Sequence, residues 1–210
     1  MTQIRAVVFD MDGVLIDARD WHYQALNQIL AMFGVAINHQ DHLLEFDGLP
    51  TKDKLTLLTK RYGLPESLHP FINEMKQRYT MQLIHQHCWP VFEHQLTLAW
   101  LRRQGYQVAV ASNSIRDSIE TMMRRAQLLP YLNFFLSNED VTCGKPDPEI
   151  YNKAFQILGI TPAECVIVED NPHGIMAAKA SGAHVLSVKE PKDVTRDLVR
   201  NFINQCESIR

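Results

Sequence analysis

Four short groups of polar residues each follow an apolar run in this 210-residue chain. They lie at residues 10–13, 112–114, 144–148 and 169–171. Ligands of an open parallel sheet bind beyond the carboxyl ends of its strands. If the four apolar runs are parallel strands, the polar groups meet at one edge of the sheet. The sequence therefore predicts a single site built from all four groups.

Carboxylates dominate the first and last of these groups. Asp10 and Asp12 belong to the first group, and Glu169 and Asp170 belong to the last. Gathering four negative charges is unfavourable without a cation. Mg2+ suits such a site, because it takes one or two carboxylates, keeps several waters and bridges to phosphate oxygens. We therefore expect these four residues to hold Mg2+ beside a small phosphorylated metabolite.

The same residue types fit phosphoryl transfer. Asp10 is the predicted nucleophile, which would form an aspartyl-phosphate and divide a difficult hydrolysis into two steps. Asp12, which stands beyond a tight turn, is the predicted general acid and base. Ser112, Asn113 and Lys145 are predicted to hold the oxygens of the phosphoryl group, the lysine as a point charge.

Turns and helix caps offer simpler interpretations of some of these positions. An Asp-x-Asp-Gly sequence by itself also fits a turn, since Asp and Gly favour turns. Ser114 directly precedes a segment with helical periodicity, and we predict that it is the N-cap of that helix. Glu169 and Asp170 also fit the start of a helix, where the macrodipole favours carboxylates. The presence of all four groups in one chain favours the site.

Strands and helices alternate through the second half of the chain. The apolar, β-branched runs predicted as strands are residues 4–9, 106–111, 134–136, 165–168 and 183–188. Helical spacing follows at residues 92–104, 115–126, 148–158 and 174–181. This alternation is typical of right-handed βαβ crossovers. The predicted fold class is α/β, with a Rossmann-like, doubly wound parallel sheet as its core.

A helical insertion interrupts that pattern after the first strand. Apolar residues recur three and four positions apart over residues 21–33, 52–62 and 68–85, as they do in amphipathic helices. Strand signals are almost absent from this part of the sequence. We therefore predict a catalytic core of residues 1–16 and 89–210, and an all-helical cap domain of residues 17–88.

Composition narrows the class of protein. The chain is 46% hydrophobic and 21% charged, close to the globular average, and its net charge of -3 disfavours nucleic-acid binding. Its four cysteines form no Cys-x-x-Cys pair, so neither a zinc site nor a disulfide framework is expected. No run approaches the roughly 20 apolar residues that span a membrane. We expect a cytoplasmic protein without membrane or nucleic-acid partners, as a monomer or weak dimer.

The four groups resemble the motifs of the haloacid dehalogenase-like superfamily, in the branch with a helical cap after the first motif. The matching sequences are FDMDGVLID, ASNS, GKPDPEIY and VEDNPHGIMAAKASGA. The resemblance implies that Asp10 is the nucleophile, that Asp12 is the acid and base, and that the Asp12 carbonyl also binds Mg2+. It further favours phosphate chemistry over dehalogenation, because family members that cleave carbon–halogen bonds lack the second aspartate.

The resemblance also implies roles for residues of the cap. His22 stands where relatives carry a histidine that faces the active site. The alternative interpretation is that His22 only packs against other residues of the helix predicted over residues 21–33. Residues 46–52 resemble the substrate-specificity loop, in which Gly48 gives a turn, Thr51 follows, and Lys52 offers a charge to the substrate.

The expected activity is a Mg2+-dependent phosphatase acting on a sugar phosphate or a phosphoglycolate-like compound. A β-phosphoglucomutase-like phosphosugar mutase is the alternative. Such mutases carry an arginine near Thr51 and a lysine near Met81, and both departures count against a mutase unless neighbouring basic residues substitute. Those neighbours are Lys52, Lys76 and Arg78. A catalytically silent protein that binds a phosphorylated ligand is the third alternative, and the four intact motifs disfavour it.

Overall fold

A computed structural model describes residues 3–208 of the chain. Its sheet has five strands in the order β3-β2-β1-β4-β5, and every neighbouring pair is parallel. The strands are β1 (Ala6–Phe9), β2 (Gln107–Ala111), β3 (Phe134–Leu136), β4 (Cys165–Glu169) and β5 (His184–Ser187). Each coincides with a run predicted as a strand to within two residues at either end.

The register of the sheet brings the ends of the central strands level with one another. Phe9, the last residue of β1, pairs with Val110 of β2 and with Val168 of β4. All residues of β1 and β4 are buried, as expected of strands covered on both faces. The residues that follow these strands therefore emerge at one edge.

Nine α-helices lie within the described residues. They are α1 (Arg19–Leu30), α2 (His39–Asp41), α3 (Thr51–Tyr62), α4 (His69–His87), α5 (Phe92–Arg103), α6 (Arg116–Arg125), α7 (Glu149–Leu158), α8 (Pro172–Ala180) and α9 (Arg196–Ser208). None of the helices in residues 3–208 is both long and apolar enough to cross a membrane.

The chain divides into two compact units. The first contains the chain up to Asp17 and from Trp89 onward, and the second is Ala18–Cys88. In the first unit, Val8 and Ile167 belong to one buried cluster with residues of α7 and α8. Val7 and Val166 alternate with them along the strands and therefore point to the opposite face of the sheet. The predicted α/β class with a doubly wound parallel sheet is confirmed.

The second unit is helical. Helices α1 and α4 pack along each other, and α3 contributes to the same core. That core includes Leu26, Ile29, Leu55, Leu58 and Ile72. Between α2 and α3 the chain forms a π-helical segment, His42–Phe46, that no sequence pattern predicted.

Helix ends differ from the predictions by one to two residues at the edge that carries the polar groups. The predicted segment 174–181 begins earlier, at Pro172, because the Asn171 side chain accepts a hydrogen bond from the His173 N–H at 3.0 Å and caps α8. The prediction that Ser114 caps α6 was wrong. The N-cap of α6 is Ile115, and the first N–H of the helix, that of Arg116, donates to Glu139 Oε2 at 2.9 Å.

Candidate active site

The four predicted groups meet at the carboxyl edge of the sheet in the first unit. Asp10 continues β1, because its N–H donates to the Val168 carbonyl at 2.9 Å. Ser112 continues β2 in the same way, with its N–H 3.0 Å from the Leu136 carbonyl. Both side chains are buried. The sheet itself therefore fixes where these two residues lie.

Lys145 links three of the strand ends through its ammonium group. Its Nζ lies 2.6 Å from Asp10 Oδ1, 2.6 Å from Glu169 Oε1 and 2.8 Å from the Ala111 carbonyl oxygen. An ammonium has three N–H donors, so these three acceptors use them all. The lysine is only 5% exposed. It is therefore a buried cation held at a fixed point between the carboxylates.

Asn113 fixes the loop that delivers this lysine. Its Oδ1 accepts from the Lys145 N–H at 3.0 Å, and its Nδ2 donates to the Lys145 carbonyl at 3.2 Å. Gly144 allows the close approach, since a Cβ there would lie 2.8 Å from Asn113 Oδ1. The side chain thus positions the Lys145 backbone, while the phosphate-binding roles of Ser112 and Asn113 stay predictions.

Glu169 is enclosed by groups that sequence reasoning did not single out. The buried Tyr151 hydroxyl donates to Glu169 Oε1, the oxygen that also accepts from Lys145. A Cβ on Gly174 would lie 2.0 Å from the same oxygen, so only glycine fits there without displacing the carboxylate. Tyr151 stands in the motif with Lys145 at a position with helical spacing, where an aromatic residue predicts packing. A tyrosine at a buried position needs a hydrogen-bond partner for its hydroxyl, and this was the available sign of a polar contact.

The carboxylates of Asp10, Glu169 and Asp170 form an acidic cluster. Each offers one oxygen, and these oxygens all lie within 4.8 Å of one another. Burial raises the pKa of the Asp10 carboxyl well above its ordinary value; Lys145 opposes this, and the charges of Glu169, Asp170 and Asp12 add to it. Negative charge is therefore in excess when all four carboxylates are ionised. A hard divalent cation fits this donor set, and Mg2+ is such a cation.

Asp12 is placed by a tight turn after β1. The Gly13 N–H donates to the Ile16 carbonyl at 2.7 Å, and Gly13 has a φ of 90°, which favours glycine. A Cβ at this position would lie 2.1 Å from Asp170 Oδ2. The Ser114 hydroxyl donates to Asp12 Oδ2 at 2.8 Å. The turn therefore brings the first and fourth groups into contact, and the second group holds Asp12.

The predicted cap residues all lie in the second unit. His22 is half-buried, and its Nδ1 is 3.3 Å from the Nζ of the buried Lys76. Gly48 adopts a φ of 74° in the turn before α3, as predicted. Thr51 begins α3 and is half-buried, whereas Lys52 is exposed. Their roles in substrate selection stay predictions.

The chain matches the family model described as "Haloacid dehalogenase-like hydrolase" over residues 7–188. It therefore belongs to this family, as the motifs predicted. It is 28% identical over 182 residues to a phosphorylated carbohydrates phosphatase from Thermotoga maritima, with 85% of this chain and 82% of that protein covered. It is 42% identical over 81 residues to hexitol phosphatase A from Escherichia coli, with 37% of this chain and 38% of that protein covered.

A crystal structure of beta-phosphoglucomutase from Clostridium difficile shares the fold. The TM-score is 0.84 at 20% identity, covering 97% of this chain and 98% of that chain. At this identity the likeness concerns the fold alone. The family match, together with the phosphatases among the relatives, confirms the predicted class of enzyme, a phosphoric monoester hydrolase.

Proposed function

We propose that the chain is a Mg2+-dependent phosphatase that hydrolyses a small phosphate monoester through an aspartyl-phosphate on Asp10. One observation carries the proposal. The Asp10 carboxylate stands at the end of the central strand, 2.6 Å from a buried ammonium and within 4.8 Å of two further carboxylates. An anionic nucleophile in this position needs both a fixed cation and a metal ion to approach an anionic phosphate.

The proposed reaction has two steps. In the first, a carboxylate oxygen of Asp10 bonds to phosphorus while the bond from phosphorus to the leaving oxygen breaks, and Asp12 gives its proton to that oxygen. In the second, Asp12 takes a proton from water as the water oxygen bonds to phosphorus. The bond from Asp10 to phosphorus then breaks, which releases inorganic phosphate and restores the carboxylate.

The site residues divide the remaining work. Asp10, Asp170 and the backbone carbonyl of Asp12 would hold Mg2+, with Glu169 beside them. When bound, the cation offsets the repulsion between the carboxylates and the phosphate. Lys145 keeps Asp10 oriented and places its positive charge beside the phosphoryl group, while the Ser112 hydroxyl provides a donor for a phosphoryl oxygen. The positive charges of Mg2+ and Lys145 would thereby balance the carboxylates at the edge of the sheet while the phosphoryl group is transferred.

The names of the relatives support a substrate class. A phosphatase of phosphorylated carbohydrates and a hexitol phosphatase are among them. We therefore favour a sugar or polyol phosphate, with a phosphoglycolate-like compound as the alternative. The test is phosphate release from a panel of such esters and from p-nitrophenyl phosphate, with Mg2+ and with EDTA. Turnover that is equal in EDTA would overturn the metal dependence.

Two substitutions test the residue roles. Asp10→Asn is expected to abolish turnover while the protein stays folded, because it removes one charge from a crowded acidic site. Asp12→Asn is expected to form the phosphoenzyme slowly and to hydrolyse it more slowly still, so that it accumulates and can be detected by mass spectrometry. Near-normal turnover by the Asp10 variant would contradict the nucleophile assignment.

A phosphosugar mutase would leave a different product. It would convert glucose 1-phosphate in the presence of a hexose bisphosphate without net release of phosphate. The phosphatase releases phosphate in step with substrate loss. Measuring both products in one reaction separates the two activities, and isomerisation without phosphate release would replace our proposal with the mutase.

A further inference from the structure

We propose that Ser114 is a positioning residue, which orients the carboxyl group of Asp12 for proton transfer to the leaving oxygen. The proposal rests on the function proposed above, in which Asp12 is the general acid and base. It assigns a role to a serine whose position beside a helix suggests only capping.

The Ser114 hydroxyl is directed away from the helix that follows it. Helix α6 begins at Arg116 with Ile115 as its N-cap, and its first N–H donates to Glu139 Oε2 at 2.9 Å and not to Ser114. The hydroxyl instead donates to Asp12 Oδ2 at 2.8 Å, across 102 residues of sequence. A serine before a helix ordinarily caps it, since the N-terminal N–H groups need acceptors. In this protein the Ser114 hydroxyl does not cap the helix and bonds to the Asp12 carboxylate.

The backbone of Ser114 is held on both sides. Its N–H donates to Ser112 Oγ at 3.1 Å, and its carbonyl accepts from the Asn138 N–H at 3.1 Å. Ser112 in turn continues β2. The backbone of Ser114 is therefore fixed relative to the sheet, and this fixes the position from which its hydroxyl donates.

The backbone around Asp12 is also constrained. Asp12 forms an isolated bridge with Ile16, and the adjacent Gly13 N–H donates to the Ile16 carbonyl at 2.7 Å. With its main chain fixed, the carboxyl group keeps mainly rotation about its side-chain bonds. One hydrogen bond from a fixed donor is enough to select one orientation.

This bond also distinguishes the two oxygens of Asp12. Because Oδ2 accepts from Ser114, Oδ1 is the oxygen that carries the transferable proton. In the first step that proton passes from Oδ1 to the leaving oxygen as its bond to phosphorus breaks. In the second step Oδ1 takes a proton from the attacking water. Without the Ser114 hydroxyl, Asp12 is still present as an acid, but its carboxyl group is no longer held in the orientation that proton transfer requires.

The expected defect depends on the leaving group. A poor leaving group needs its proton as the bond breaks, whereas p-nitrophenolate is a stable anion and leaves without one. For Ser114→Ala we expect kcat/KM on phenyl phosphate and glycerol phosphate to fall roughly 10- to 100-fold, a part of the roughly 100- to 10,000-fold that general acid–base catalysis contributes. On p-nitrophenyl phosphate the fall is expected to be less than about 3-fold on the same grounds.

A matched pair of substitutions separates the hydroxyl from the shape of the side chain. Ser114→Thr keeps the hydroxyl and Ser114→Val removes it, with nearly the same volume. We expect the threonine variant to retain the parent's dependence on leaving-group acidity across a series of substituted phenyl phosphates. The valine variant should show a steeper dependence. Ser118→Ala, at a buried serine of α6, is the control for a general effect on this part of the fold.

Asp12→Asn, measured on the same series, distinguishes failure of this inference from failure of the proposed function. The inference is supported if the rate depends more steeply on leaving-group acidity than in the parent in all three variants, Asp12→Asn, Ser114→Ala and Ser114→Val. A steeper dependence in the asparagine variant alone overturns the role of Ser114 and leaves the proposed function intact. Equal losses on all substrates in the asparagine variant overturn the acid role of Asp12, and with it the role of Ser114.

Discussion

Replacing Lys145 by methionine tests whether the buried ammonium stabilises the acidic edge of the sheet. The side chain is 5% exposed, and its Nζ lies 2.6 Å from both Asp10 Oδ1 and Glu169 Oε1. Methionine keeps the length and apolar stem of lysine and removes the charge. The two carboxylates and the Ala111 carbonyl then lose their shared donor.

Removing one partner of a buried ion pair costs about 3–5 kcal/mol, because the other partner stays buried without compensation. We expect Lys145→Met to lower the free energy of unfolding by about this amount at pH 8. The measurement is urea unfolding in EDTA, so that no metal ion replaces the lost charge. Lys179→Met, at an exposed lysine of α8, is the control and is expected to change stability by no more than about 0.5 kcal/mol.

The loss is expected to be smaller at pH 5. Lys145 lowers the pKa of Asp10 against the effect of burial, which raises it. Without the lysine that pKa is higher still, so the folded variant protonates Asp10 more readily. A group whose pKa is raised on folding contributes to the free energy of unfolding at low pH. That contribution is lost as the pH rises from the unfolded-state pKa, here 3.8, through the folded-state pKa. The variant therefore loses more stability than the parent between pH 5 and pH 8.

A double-mutant cycle with Asp10→Asn completes the test. In the Lys145→Met background the asparagine removes one uncompensated charge, so the two substitutions should show an interaction energy of about 0.5–3 kcal/mol, the range found for residues in one network. A loss below about 1 kcal/mol for Lys145→Met, equal at both pH values, would refute the reasoning. Additive effects in the cycle would also refute it.

Two further predictions concern the metal cluster and the helical unit. Gly13→Ala is expected to weaken Mg2+ binding at least about tenfold, because its Cβ would lie 2.1 Å from an Asp170 oxygen and displace that carboxylate; isothermal titration with Mg2+ measures the affinity. Gly105→Ala is the control, since Gly105 has a similar φ of 88° and nothing within 4 Å of its Cβ, and equal Mg2+ affinities of the two variants would contradict the explanation. Burial, aided by Lys54, lowers the pKa of His42 from 6.5 to about 4, so the folded ring stays neutral while the unfolded ring gains a proton. The free energy of unfolding should therefore fall by up to about 3 kcal/mol between pH 6.5 and pH 4, and His42→Phe should remove this part of the fall; an unchanged pH profile in that variant would exclude His42 as its source.

The fold and the four polar groups were accessible to sequence reasoning because each rests on a local pattern. The run before Asp10 is apolar and β-branched, as a strand buried on both faces requires, and Asp10 directly follows it. Parallel strands then bring such residues to one edge regardless of the details of packing. This is why the acidic cluster could be predicted before any distance was known.

Contacts that depend on side-chain direction were not accessible in the same way. Tyr151 occupies an apolar position of α7, and the sequence does not reveal that its hydroxyl meets Glu169. Ser114 has the sequence position of a helix cap, yet its hydroxyl bonds to Asp12. Both contacts join residues far apart in sequence, and their geometry depends on how neighbouring loops pack. Propensity and spacing are local and carry no information on that packing.

The position of β1 between β2 and β4 has a consequence for synthesis of the chain. Of the five strands of the sheet, the central one is made first, and its pairing with β4 requires residues 165–169. At about 5–20 residues per second, that partner is complete roughly 8–30 s after β1. Until residues 107–111 are made β1 has neither of its final neighbours, and from then until β4 is complete it has only β2. Among the five strands, the one that precedes Asp10 therefore waits longest for its neighbours and is exposed to aggregation for that time.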